Sequence, residues 1–88
     1  MIELELVLTN AAGLHARPAA QFIQTAAAFK SKVAIQAGSK SADAKSILAV
    51  MGLGLGQGAT FLLNADGPDE AECVAALKAL VERNFGEG

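Results

Sequence analysis

The chain has 88 residues and a mass of 8.9 kDa, and 52% of its residues are hydrophobic, enough for one core and too few for two. Lys and Arg number 7 against 9 Asp and Glu, for a net charge of −2, and neither Trp nor Tyr occurs, which excludes a basic, aromatic-bearing nucleic-acid surface. The one cysteine, Cys73, excludes an internal disulfide and a multi-cysteine metal site.

Ile2, Leu4, Leu6 and Leu8 alternate with Glu3 and Glu5, the period of a half-buried strand. Residues 9–13 read as a loop. From Ala16 to about Phe29 the apolar stripe Ala19, Phe22, Ile23, Ala26, Phe29 is helical. The opposite face carries Arg17, Ala20, Gln21, Gln24 and Ala28, small or uncharged residues that leave it open to a partner. Lys32 to Ala37 alternates again. Gly38-Ser39 is a turn into a short strand, Lys40 to Asp43.

Ser46 suits the N-cap of a short helix from Ile47 to about Leu53, closed by Gly54. A strand over Ala59 to Ala65 follows, and Gly67-Pro68 ends it. Asp69, with Glu72 three residues on, reads as a capping box opening a last helix that buries Val74, Leu77, Leu80 and Val81. Cys73 on that helix is expected to be an inert buried thiol. The order β-α-β-β-α-β-α implies one α+β domain over residues 1–88, with a four-stranded, mainly antiparallel sheet covered on one face by three helices.

Twenty-seven apolar side chains larger than alanine exclude disorder. Glu3 and Glu5 stand where the basic segment of a secretory signal would lie. The longest apolar run, Ile47 to Leu55, is too short and too Gly-rich to span a bilayer, so a soluble, cytoplasmic chain is expected. Residues 6–65 form a mildly basic middle between acidic ends, which suits an acidic protein partner. Gly54 to Ala59 holds a formal G-x-G-x-x-A. A dinucleotide site needs that pattern after a strand and opening a helix, whereas here it follows a helix and leads into a strand.

The segment Gly13-Leu14-His15-Ala16-Arg17-Pro18-Ala19 carries the chemistry. His15 is the only histidine, which rules out a multi-histidine metal site. It falls at the N-cap of the first helix, and Pro18 sits in the first turn, where its missing N–H costs no bond. The amides of Ala16 and Arg17 are then available to an anion attached to the ring, and the Arg17 guanidinium adds charge. Spacing alone leaves two readings open: a plain helix cap beside an arginine, or an anion-binding, phosphorylatable histidine.

That segment, with Ser46-Ile47-Leu48-Ala49-Val50-Met51 and the Asp66-Gly67 turn, resembles the HPr family, the histidine-containing phosphocarriers of the bacterial phosphoenolpyruvate-dependent sugar phosphotransferase system. The resemblance implies an open-faced β-sandwich without cofactor or metal. It implies that His15 accepts a phosphoryl group on Nδ1 from enzyme I and passes it to enzyme II A-type domains, with Arg17 stabilising the phosphate. It further implies regulatory phosphorylation of Ser46 by a serine kinase, reversed by a phosphorylase, and contacts with transcriptional regulators. Ile47, Leu48 and Met51 become a docking surface by that resemblance, joined by Ala20 and Gln24 from the open face of the first helix; a monomer is expected, and the composition speaks against membrane insertion and nucleic-acid binding.

Composition supports that surface independently. A helix this short cannot bury all of Ile47, Leu48, Val50, Met51 and Leu53 against one sheet face, and exposed apolar patches mark contact sites. Met51 would adapt to several partners. The chain departs from the family at Gln24 and Ala27, where basic residues are common, and its C-terminal stretch looks like the nitrogen-related regulatory branch. The alternative is therefore a regulatory module acting through Ser46 and the Ile47–Met51 helix. A hydrolase using His15 is disfavoured, because the motif offers no carboxylate or second histidine to activate water.

Overall fold

The computed structural model describes residues 1–86. Its elements are β1 (Ile2–Val7), α1 (Ala16–Ala27), β2 (Lys32–Ala37), β3 (Lys40–Asp43), α2 (Ile47–Met51), β4 (Thr60–Asp66) and α3 (Glu70–Glu82), closed by a 3₁₀ turn at Asn84–Gly86. The expected α+β order holds, and all strand pairs are antiparallel in the order β1-β4-β2-β3. The last strand in sequence thus lies between β1 and β2.

Register explains the alternation. Leu6 stands opposite Phe61, Leu4 opposite Leu63, Leu63 opposite Ile35 and Ile35 opposite Ala42, a row on the covered face. Glu5, Leu62 and Gln36 form a matching row on the open face. Under the covered row lie Ala19, Phe22 and Ala26 of α1, Val50 of α2, and Cys73, Leu77 and Leu80 of α3. Phe22 meets Phe61 edge to face, with ring centroids 6.2 Å apart at 78°, joining α1 to the central strand. Each of these rings contributes about 1.5–3 kcal/mol by leaving water.

Several boundaries differ from the sequence reading. Helix α1 stops at Ala27, because the Ala28 and Phe29 amides tighten onto the Thr25 and Ala26 carbonyls instead of continuing the α ladder. Helix α2 ends at Met51, with Gly52 as its C-cap, and Gly54 turns the chain beyond it at φ +67°. Strand β4 lies one residue later than expected.

The expected capping box at the head of α3 does not form. Asp69 occupies the N-cap position, but its carboxylate does not turn back to the helix. It accepts the backbone N–H groups of Lys30 and Ser31 at 2.8 and 2.9 Å, together with the Ser31 hydroxyl. Glu70, rather than Glu72, reaches back, accepting the Gly67 N–H at 3.1 Å.

Candidate functional site

His15 is the N-cap residue of α1, extended at φ −139° and ψ 149°, exposed, and its side chain makes no capping bond. The ring is therefore not consumed in holding the helix. Ala16, the first helical residue, sits at φ +51°, in the left-handed region that a residue with a Cβ enters at a cost. Among the described residues the backbone N–H groups of Ala16 and Arg17 find no intramolecular acceptor, and Pro18 supplies none. Two unpaired donors thus follow the imidazole directly, and the exposed Arg17 follows with them. Pro18 and Ala19 are buried, which anchors the first turn under this open end.

The approach to His15 is held by hydrogen bonds on both sides. Residues 10–13 form a turn in which the Gly13 N–H donates to the Asn10 carbonyl at 3.2 Å, and the Asn10 side-chain amide donates to the Gly13 carbonyl at 3.0 Å. Leu14, 1% exposed, is plugged into the core, and its N–H donates to the Leu55 carbonyl at 2.9 Å. Gly13 lies at φ +64°, and a Cβ there would stand 2.4 Å from the Leu55 oxygen. The glycine-rich segment 54–58 thus backs the His15 loop. Gly58 donates to the Leu8 carbonyl at 2.7 Å and the Gln57 side chain to the Thr9 carbonyl at 3.4 Å. On the other side, the Thr9 hydroxyl donates to the Asn84 side-chain oxygen, tying the loop to the end of α3.

Ser46 caps α2: its hydroxyl accepts the Ala49 N–H at 3.4 Å. Val50 is wholly buried and anchors this helix, whereas Leu48 is 82% exposed and Ile47 40%; Met51 is half-buried. Helix α2 packs against α1, where Gln24 is exposed and Ala20 half-buried. The candidate docking residues therefore lie on two neighbouring helices, one of which begins at His15. Cys73 is buried in α3, where burial pushes its thiol up and the nearby Asp69 charge adds to that. No cluster of three His, Cys, Asp or Glu side chains able to hold a metal occurs among the described residues, and no described helix is long and apolar enough to cross a membrane.

The sequence reading missed Asn10, Thr9–Asn84 and the Leu55 carbonyl. Asn10 had a local signal, since Asn at the first and Gly at the fourth position mark a turn. The other two depend on partners more than 40 residues away.

Residues 2–83 match the family described as PTS HPr component phosphorylation site. The phosphocarrier protein HPr of Cupriavidus necator is 44% identical over 88 residues, all of this chain and 99% of its own. The HPr-like protein Crh of Halalkalibacterium halodurans is 41% identical over 83 residues, 94% of this chain and 99% of its own. The crystal structure of HPr-C-His from Thermoanaerobacter tengcongensis superposes with a TM-score of 0.98 at 45% identity, covering 100% of this chain and 99% of that one.

Proposed function

The chain belongs to the HPr family of phosphotransferase-system components, and from that premise we propose that it carries a phosphoryl group on His15, taken from enzyme I and handed to enzyme II A-type domains. The observation that carries this reading is the exposed His15 ring at the head of α1, free of any capping bond and followed by two unpaired amides.

The unprotonated imidazole nitrogen, Nδ1 by the family resemblance, attacks phosphorus. An N–P bond forms as the bond from phosphorus to the phosphorylated donor breaks, and the electron pair of that bond returns to the donor's leaving atom. The three equatorial oxygens carry the transferring charge, and the Ala16 and Arg17 amides with the Arg17 guanidinium stabilise it. The same groups stabilise the phosphohistidine product and the next transition state, so one site serves both directions. The chain is consumed and regenerated stoichiometrically, as a carrier rather than a turnover enzyme.

Ile47 and Leu48 favour a second reading, in which α2 docks regulatory partners and phosphorylation of Ser46 controls that contact. The two readings share one surface. Intact-mass measurement after incubation with phosphoenolpyruvate and enzyme I tests the first. An acid-labile phosphoryl group that is absent from His15→Ala is expected. No incorporation into folded wild-type protein would leave only the regulatory reading.

A further inference from the structure

Asn10 is the one side chain of the His15 loop that is both polar and buried, at 3% exposure. Its amide donates to the Gly13 carbonyl at 3.0 Å, while the Gly13 N–H closes the turn onto the Asn10 carbonyl. The Gly13 carbonyl belongs to the same peptide plane as the Leu14 N–H, which donates to Leu55 at 2.9 Å. The two bonds therefore grip that peptide unit from opposite edges, one through its oxygen and one through its nitrogen. Because a peptide unit is rigid, fixing both edges fixes where the chain leaves Leu14 and hence where His15 emerges.

We propose that Asn10 is a positioning residue for phosphoryl transfer, acting through the Gly13–Leu14 peptide to set the His15 ring against the Ala16 and Arg17 amides. This rests on His15 being the phosphoacceptor. Neither of these two bonds involves Ala20, Gln24, Ile47, Leu48 or Met51, so the effect they exert is on the chemical step. A ring displaced by about 1 Å loses up to ~100-fold in rate where geometry is limiting. The glycine-rich segment 54–58 acquires a role with it, as the fixed wall that supplies the Leu55 carbonyl and leaves room only for glycine at position 13.

The test compares wild type, Asn10→Ala and Asn10→Asp as acceptors from phospho-enzyme I, at a temperature where circular dichroism shows each to be folded. Removing the donor is expected to lower kcat at least ~10-fold with KM unchanged, and to shift the His15 ring resonances in NMR spectra. Asp at position 10 donates only when protonated, so it is expected to behave as Ala near pH 7. Equal kcat and unmoved ring resonances in either folded variant would overturn the proposal. If neither variant folds, wild type decides: Asn10 side-chain amide protons exchanging as fast as those of an exposed asparagine, before and after phosphorylation, would also overturn it. Absence of phosphate on wild-type His15 is a different result, and would strike the carrier reading itself.

Discussion

Asp69 at the head of α3 grips Ser31 at the end of the α1–β2 connection through both its backbone N–H, at 2.9 Å, and its hydroxyl, and takes the Lys30 N–H at 2.8 Å. Ser31 is completely buried, so its own two donors would otherwise lack a partner in a place water does not reach. The link fastens the start of the last helix to the point where the chain leaves α1 for the sheet.

This link makes stability pH-dependent. The Ser31 hydroxyl, and after it the Lys30 amide, hold the Asp69 carboxyl below its ordinary range. A carboxyl depressed by folding stabilises the protein above its unfolded range, near pH ~3.9, and that contribution is lost as pH falls through the lower folded value. Asp69→Asn should therefore be less stable than wild type near neutrality, and the gap should close below about pH 4. Denaturant midpoints measured for both proteins from pH 7 to 2.5 check this; a gap that stays constant would contradict it.

Gly67 lies under the same link. A Cβ on it would stand 2.6 Å from both the Ser31 Cα and Oγ. Gly67→Ala should push the turn away from Ser31 and cost about 1–3 kcal/mol, the usual penalty for overpacking. It should also raise the Asp69 carboxyl towards its ordinary range. Urea denaturation reads the first effect and carboxyl NMR titration the second.

These tertiary links mark what was legible in the sequence. Strands β2 and β3 fell at their expected bounds because alternation and the Gly38 turn, at φ +61°, are local signals. The N-cap positions of His15 and Ser46 were visible for the same reason, each marking a nearby helix start. The cap of α3 was misread because a carboxylate at an N-cap position has a local partner by default, and here donors 38 and 39 residues away outcompete it. The Leu55 carbonyl was invisible, since a backbone acceptor has no residue type to announce it.

Within α2, two neighbours two residues apart should behave oppositely. Val50 is wholly buried and Leu48 is 82% exposed. Val50→Ala should cost about 1–3 kcal/mol through lost burial and a cavity. Leu48→Ser should change stability by less than about 0.5 kcal/mol, yet raise the KM for transfer from enzyme I severalfold. Thermal melts combined with steady-state transfer assays separate the two. An unchanged KM in Leu48→Ser would remove this residue from the docking surface.

Ser46 combines a structural and a regulatory expectation, and two substitutions pull them apart. Its hydroxyl accepts the Ala49 N–H at a long 3.4 Å, so Ser46→Ala should lose only about 0.5–1 kcal/mol, the low end for a missing cap. Transfer through His15 should be unaffected, because no charge has been added. Ser46→Asp keeps a capping oxygen and complements the helix end, and should match wild type in stability. It nevertheless places a negative charge beside exposed Ile47 and Leu48, where an acidic partner would be repelled, as a phosphate carrying about −1.5 to −2 would do more strongly. Slower phosphoryl acceptance by Ser46→Asp, relieved as salt is raised, is the expected outcome. Acceptance at the wild-type rate in low salt would reduce Ser46 to a helix cap.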